Sequence, residues 1–187
     1  MAETGNRRDF IVLTAGAFVG VGAVLALWPL IDQMNPNPAS PPPETVDLDL
    51  APIRPGQTVS LQWRGLPIFV RNRTPEETRR ARSTPLGDLR DRFARNETLP
   101  KASLATDANR TVDGHETWLV VVGLCTHMGC RLSTSPPEAS AASDEGWFCP
   151  CHAARFDLSG RVRSGPALRN LTVPPYQFLS ATRIRIG

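Results

Sequence analysis

The 187-residue sequence has little net charge, one Tyr and only four Cys. Its charge is +3, its basic and acidic residues are interleaved, and it has no stripe of aromatic and basic residues, so nucleic acid is not expected as a partner. One Tyr beside 18 Pro indicates a loop-rich fold. The length allows one domain with a real core plus an appendage. All four Cys lie in two short loops.

The two loops carry a mixed set of metal ligands. Residues 125–130 read CTHMGC and residues 149–157 read CPCHAARFD. Two thiolates and two imidazoles suit a tetrahedral zinc, but a 2Fe–2S cluster with two Cys on one iron and two His on the other needs the same set. A zinc finger usually presents a Cys pair and then a His pair, whereas each loop here mixes both types. The spacing favours a 2Fe–2S cluster, with structural zinc as the alternative.

These loops resemble those of the Rieske iron–sulfur proteins, specifically the subunit of the bacterial quinol:cytochrome c oxidoreductase, or cytochrome bc complex. The similarity extends to RRDF at 7–10, WPLIDQMNP at 28–36 and PIFVR at 67–71, so it covers nearly the whole chain. It implies one 2Fe–2S cluster per subunit. By this resemblance Cys125 and Cys149 bind the buried iron, His127 and His152 bind the outer iron, and Cys130 and Cys151 form a disulfide. A disulfide indicates an oxidising compartment such as a bacterial periplasm.

The N-terminal segment combines an arginine pair with an apolar run. Arg7 and Arg8 precede 22 uncharged residues, Phe10 to Ile31, which as a helix are about 33 Å long and cross a hydrocarbon core of roughly 30 Å. The pair indicates a twin-arginine export signal. No Ala-x-Ala-like cleavage site follows. We therefore expect a single-pass anchor in the cell inner membrane, with the N-terminus cytoplasmic and the head domain periplasmic.

The patterns divide the chain into four segments. We expect a cytoplasmic N-terminus over 1–9, a transmembrane anchor over 10–32, a proline-rich tether over 33–45 and a head over 46–187. Five prolines between residues 35 and 44 favour an extended polyproline conformation in the tether, which the resemblance identifies as a hinge.

The head is predicted to be mainly β, with strands at 58–63, 67–71, 117–122 and 183–186. Arg64-Gly65 predicts a hairpin turn between the first two strands. The resemblance implies an antiparallel Rieske-type β-sandwich with a small cluster-binding subdomain, here about 119–168. Residues 131–148, which run between the ligand loops, are predicted to form a surface loop without ligands.

Two helices are expected to interrupt the strands. Thr74, Pro75 and Glu77 predict a capped helix ending near Arg82, and a second short helix is predicted over 86–94. Residues 71–95, which include both predicted helices, form a basic insertion rich in arginine: Arg71, Arg73, Arg79, Arg80, Arg82, Arg90, Arg92 and Arg95. We expect pairing with Glu76, Glu77, Asp88 and Asp91 on a solvated face, with docking on an acidic partner or lipid head groups as the alternative. His115 is expected at the surface or in a turn.

The resemblance also implies a function and partners. The expected function is electron transfer in a quinol–cytochrome c reductase, with a cytochrome b subunit that forms the quinol site, a c-type cytochrome subunit and a lipid bilayer. His152 is the expected catalytic residue, which takes a proton from quinol while the cluster takes an electron. The alternatives are the Rieske small subunit of a periplasmic molybdenum oxidase such as arsenite oxidase, and a membrane-tethered zinc protein.

The second ligand loop departs from the family pattern. High-potential members carry Cys-Pro-Cys-His-Gly-Ser-x-Tyr-Asp, whereas Ala153, Ala154 and Phe156 stand here in place of Gly, Ser and Tyr. Both hydroxyls that donate to cluster sulfurs in those members are missing. The loss of charge-assisted hydrogen bonds is expected to lower the midpoint potential by on the order of 100 mV.

Two further segments are expected near the cluster. Met128 stands where the family usually has Leu, and either side chain can shield the cluster. Gly165 and Pro166 begin a match to the proline loop that covers the cluster in the family, with Leu168 in place of a second Pro.

Overall fold

The computed structural model describes residues 6–35, 43–133 and 146–187, in two compact units, Met1–Pro41 and Pro42–Gly187. The middle of the expected tether, residues 36–42, lies outside the described residues, as does most of the segment between the ligand loops, residues 134–145. The polyproline conformation and the surface loop assigned to these residues stay predictions. At the described ends of 131–148 the surface-loop prediction is wrong, because Gly146–Phe148 is a strand and the side chains of Leu132 and Trp147 are buried.

The first unit contains one long helix, α1, at Arg7–Asp32. None of its residues is buried, and it is long and apolar enough to cross a membrane. At its start the backbone N–H of Asn6 donates to the Asp9 carboxylate at 3.3 Å. The helix predicted for the apolar run is confirmed. It begins at Arg7 rather than residue 10, so the arginine pair lies in its first turn.

The second unit contains, among its described residues, nine short strands and one α-helix. They are β1 (Val46–Asp49), β2 (Thr58–Trp63), β3 (Leu66–Asn72), α2 (Pro75–Ser83), β4 (Trp118–Val122), β5 (Gly146–Phe148), β6 (Arg155–Asp157), β7 (Val162–Ser164), β8 (Tyr176–Ser180) and β9 (Arg183–Ile186). Three antiparallel sheets have the orders β1-β9-β8, β2-β3-β4 and β5-β6-β7. The predicted mainly β, antiparallel class is confirmed, and each predicted strand is present to within one residue.

The β2-β3-β4 sheet lies between the other two, because it is buried on both faces. In β3, Ile68 and Val70 face a core shared with the β1-β9-β8 sheet, while Phe69 faces the opposite core. In β4, Val120 and Val121 divide in the same way. The first core fills a two-sheet sandwich. The second core lies between the central sheet and the β5-β6-β7 sheet, beside the ligand loops.

The hairpin between β2 and β3 is confirmed. Trp63 pairs with Leu66, so only Arg64 and Gly65 form the turn. Both have positive φ, at 49° and 76°, as a type I′ turn requires.

Helix α2 is confirmed and begins with the predicted capping box. The N–H of Glu77 donates to Thr74 Oγ1 at 3.2 Å, and the N–H of Thr74 donates to Glu77 Oε2 at 2.9 Å. Glu77 also pairs with Arg71 across the turn into the helix. The cap therefore joins the helix start to the end of β3.

The second predicted helix, over 86–94, is wrong. Only a single 3-10 turn forms there, at Leu86–Asp88. The Asp91 carboxylate accepts the N–H of Phe93 at 3.1 Å, and Ala94 N–H donates to the carbonyl of Ser103. In these contacts backbone N–H groups bond to a side chain and to a distant carbonyl instead of to carbonyls one helical turn earlier, which competes with helix formation.

Most arginines of the insertion are paired, but not all on a solvated face as predicted, because Glu77 and Asp91 are buried. The pairs with the expected acidic residues are Arg71–Glu77, Arg79–Glu76, Arg80–Glu76 and Arg95–Asp91. Asp88 makes no ion pair within the described ranges. Arg73 differs from the prediction, because it is fully buried and donates to both carboxylate oxygens of Asp107. Its pairing partner lies 34 residues away, outside any helical spacing.

Arg110 is a second buried cation, and no spacing pattern indicated it. Its guanidinium donates to the backbone carbonyls of Ala94, Ser159, Gly160 and Leu171. Burial lowers its pKa to about 10. These contacts join the insertion, the turn after β6 and the segment before β8.

His115 lies in the turn before β4, where its N–H donates to the carbonyl of Val112. Its ring stacks on Phe178 of β8 with ring centroids 3.6 Å apart. The prediction of a turn position is confirmed.

Candidate iron–sulfur site

The first ligand loop follows β4 and closes on itself. The N–H of Cys125 donates to the carbonyl of Cys130 at 2.8 Å, and the N–H of Gly129 donates to the carbonyl of Cys125 at 2.9 Å. Gly129 has a φ of 77°, which glycine adopts without strain.

The second ligand loop, between β5 and β6, repeats the same pattern. The N–H of Cys149 donates to the carbonyl of Ala154 at 2.8 Å, and the N–H of Ala153 donates to the carbonyl of Cys149 at 3.0 Å. Ala153 has a φ of 55°, in the left-handed region that Gly129 occupies in the first loop. Both loops thus place their first Cys in the same local geometry.

The predicted ligands separate into an inner and an outer pair. Cys125 and Cys149 are only 2% and 1% exposed, whereas His127 and His152 are exposed. The two imidazole rings are T-shaped, with centroids 4.8 Å apart. The structure therefore places the two predicted thiols next to each other in the core and the two predicted imidazoles next to each other at the surface.

The inner thiols are close enough to affect each other. Burial raises the pKa of the Cys125 thiol, and the neighbouring Cys149 thiol raises it further. Without a cation, the Cys125 thiol is therefore neutral. A metal binds thiolate, so a metal at this place compensates for the buried charge.

A disulfide joins the two loops. Cys130 and Cys151 are bonded to each other, with Cα atoms 6.7 Å apart, as predicted. The sulfur of Cys149 lies within 4.8 Å of both disulfide sulfurs. Because Cys130 and Cys151 are used in the bridge, Cys125 and Cys149 are the free thiols of the chain.

Residues 165–170 cover the loops. A Cβ on Gly165 would lie 2.5 Å from the Cα of Ala154, so only glycine allows this backbone approach. Ala167 is fully buried in the same core as the two thiols. From the first loop, Thr126 Oγ1 donates to the carbonyl of Arg169 at 2.6 Å.

The remaining predicted residues divide by burial. Ala154 and Phe156 are buried in the core that contains the thiols, where the missing hydroxyls would lie. Met128 and Leu168 are 72% and 71% exposed, and Pro166 is exposed as well. An exposed apolar rim therefore accompanies the two exposed imidazoles.

Thr126 and Arg90 contact the covering segment, and the sequence motifs predicted neither contact. Arg90 Nη1 donates to the carbonyls of Gly165 and Ala167. Thr126 lies inside the first motif, so its position was a signal. Arg90 lies far away in sequence, and no spacing pattern connects it to the site.

Comparison with known proteins places the chain in a family. Residues 91–177 match the family described as "Rieske [2Fe-2S] domain", and residues 1–37 match "Ubiquitinol-cytochrome C reductase Fe-S subunit TAT signal". The ubiquinol-cytochrome c reductase iron-sulfur subunit of Rickettsia felis is 46% identical over 97% of this chain and 93% of its own length. The chain belongs to this family of Rieske iron–sulfur subunits.

Other Rieske subunits align over the same extent. Those of Bradyrhizobium diazoefficiens and Rhodobacter capsulatus are 43% and 42% identical, over 100% and 99% of this chain and 97% of each relative. A solved chain titled "Hyperthermophilic respiratory Complex III" covers 93% of this chain and 98% of itself, at 25% identity and a TM-score of 0.47. The assignment rests on the sequence relatives.

The residues present fit the cofactor of a Rieske subunit. Two buried thiols beside two exposed imidazoles are the donor set of a 2Fe–2S cluster whose irons differ in their ligands. The predicted 2Fe–2S cofactor and membership of an oxidoreductase complex are confirmed by the family. The structural zinc alternative is set aside on the same ground.

Proposed function

We propose that this chain is the electron-transfer subunit of a quinol:cytochrome c oxidoreductase. Cys125 and Cys149 bind the inner iron of the cluster, and His127 and His152 bind the outer iron. The observation that carries the proposal is the division of the donors into buried sulfur and exposed nitrogen. When bound, the cluster supplies one-electron chemistry, because it takes an electron from quinol and gives it to a c-type haem.

His152 is the proposed catalytic residue. Its exposed imidazole nitrogen accepts a hydrogen bond from a quinol hydroxyl and then takes the proton that leaves with the electron. His127, at 4.8 Å between ring centroids, flanks the same contact. The family resemblance assigns the contact to His152 rather than to His127.

The apolar rim is the proposed docking surface for the quinol pocket. Met128, next to His127 in the sequence, and Pro166 and Leu168 of the covering segment are exposed, and they would exclude water from a contact with a cytochrome b subunit. The same tip then meets a c-type cytochrome subunit. Movement of the head on the proline tether of residues 33–45 carries the electron between the two partners.

The proposed location is the cell inner membrane, with residues 10–32 as the anchor. Arg7 and Arg8 keep residues 1–9 in the cytoplasm, and residues 46–187 form a periplasmic head. The family match to a TAT signal and the disulfide both support a head exported to an oxidising compartment.

Purification from native membranes in mild detergent tests the proposal. Haems of b and c type should co-purify with the chain, and the complex should reduce cytochrome c with quinol. A His152→Asn variant should lose this activity. Molybdopterin in place of haem would instead support the small subunit of a molybdenum oxidase, and wild-type activity in the variant would remove His152 from the mechanism.

A further inference from the structure

Arg90 connects the basic insertion to the segment that covers the thiols. Its Nη1 atom donates to the carbonyl of Gly165 and, at 3.1 Å, to the carbonyl of Ala167. These partners lie 75 and 77 residues along the chain. A cationic donor makes stronger hydrogen bonds than a neutral one, so this contact is suited to holding a short loop in place.

Pro166 and Leu168 face outward, whereas Ala167, which lies between them, faces inward. Pro166 and Leu168 are exposed, whereas Ala167 is 0% exposed and packs in the core with Cys125 and Cys149. Ala167 therefore acts as the inner surface of the cover. Arg90 holds the carbonyl of that same residue.

Residues 165–168 of the covering segment have few other hydrogen bonds. Within the part of the chain that the structure describes, Arg90 is the only hydrogen-bond donor to residues 165–168. The next residues are fixed differently, because the N–H of Asn170 donates to Asp91 Oδ2 at 2.9 Å and its side chain donates to the carbonyls of Asp91 and Phe93. Residues 91–93 hold Asn170, and Arg90, the residue before them, holds residues 165–168 of the covering segment.

We propose that Arg90 is a positioning residue that keeps Ala167 seated over the thiol pair and so keeps water away from the inner side of the cluster. The inference rests on the proposed function, because it assumes that the covered thiols are the ligands. It also gives one arginine of the insertion a role that ion pairing on a solvated face does not supply.

Arg92 offers a matched control. It lies two residues away in the same insertion, is exposed, and its side chain has no hydrogen bond or ion pair among the described residues. Arg90→Gln and Arg92→Gln remove the same charge. Arg90→Lys keeps the charge and a donor but loses the fixed fork geometry, so it should restore part of the effect.

The test uses the full chain with its cluster in native membranes or in the purified complex. Hydrogen exchange of a peptide spanning residues 164–169 reports the seating of the cover, and electron paramagnetic resonance reports the cluster environment. In Arg90→Gln, exchange should rise about tenfold or more and the cluster spectrum should change. The exchange rate and spectrum of Arg90→Lys should lie between those of Arg90→Gln and the wild type, and those of Arg92→Gln should match the wild type. Exchange in β3 and β4 should stay unchanged in all variants.

Two results would overturn the proposal. One is wild-type exchange and spectrum in Arg90→Gln, and the other is an equal change in Arg90→Gln and Arg92→Gln, which would indicate charge alone. The absence of a 2Fe–2S spectrum in the wild type would instead contradict the proposed function. Exchange at residues 164–169 would still report whether Arg90 holds the cover.

Discussion

Gly129 and Ala153 hold equivalent positions in the two ligand loops, four residues after the first Cys. Both have positive φ, and each donates its N–H to the carbonyl of that Cys. The sequence motifs predicted the ligand types but not this shared backbone conformation, because Ala rarely adopts it and does not signal it. The fold of the loop, not the local preference of Ala153, sets its conformation.

Gly129→Ala should destabilise the protein by about 1–2 kcal/mol, since a Cβ disfavours the left-handed conformation. The change has no steric component, because nothing lies within 4 Å of a Cβ built there. Thermal unfolding of the intact protein measures it. Gly87→Ala is the matched control: its Cβ also meets nothing, but its φ is not positive, so its stability should stay equal or rise slightly. Equal effects at both positions would contradict this explanation.

Ala154→Ser and Phe156→Tyr should each raise the midpoint potential of the cluster. Both side chains are buried in the core that contains the thiols, so each new hydroxyl can donate to a cluster sulfur and stabilise the reduced form. A hydrogen bond to a charged group of about 1.5–3 kcal/mol corresponds to roughly 60–130 mV for one electron. Redox titration of each variant is the measurement.

Phe178→Tyr provides the control for this pair, because it adds the same hydroxyl next to the other core. Its potential should equal that of the wild type. Unchanged potentials in Ala154→Ser and Phe156→Tyr would show that other donors already serve the cluster sulfurs.

At the scale of elements, patterns with a fixed period were predicted correctly and contacts between distant segments were not. The alternation in β3 and the capping residues of α2 are local, and both elements formed as expected. The helix expected over 86–94 failed because Asp91 bonds to Phe93 and Asn170 instead of facing solvent. The buried contacts of Arg73 and Arg110 depend on partners far along the chain, which residue spacing cannot reveal.

Asp91 links the insertion to the segment before β8, and this link should weaken in acid. Burial alone would raise the pKa of Asp91, but hydrogen bonds from Arg95 and from the N–H groups of Asn170 and Phe93 together lower it. A carboxyl with a lowered folded pKa stabilises the fold fully above its usual range, about pH 4–5, and less as pH falls through the folded value.

Asp91→Asn should therefore lower the free energy of unfolding by about 1–2 kcal/mol at pH 7 and by less near pH 3. Denaturant unfolding of the wild type and the variant at both pH values gives the comparison. Asp88→Asn is the control, because Asp88 is exposed and makes no ion pair within the described ranges. A difference between wild type and Asp91→Asn that stays constant with pH would contradict the role of its charge.

At the scale of the whole molecule, the chain joins an apolar N-terminal helix to a β head that carries the ligand loops. The class of the head and the cofactor were predictable, because Cys125, His127, Cys149 and His152 occur in a specific spacing. The resemblance already implied a buried pair and an outer pair, and the fold adds the physical cause, which is the core that packs around the thiols. That division is the physical basis of the proposed function.

A redox titration of the membrane-bound chain, followed by electron paramagnetic resonance, tests the central claim most directly. Two His ligands on one iron predict a one-electron 2Fe–2S signal with a midpoint between roughly −150 and +300 mV. Metal analysis of the same sample should give iron without stoichiometric zinc. A midpoint near roughly −400 mV, typical of clusters held by Cys alone, or zinc in place of iron, would contradict the account.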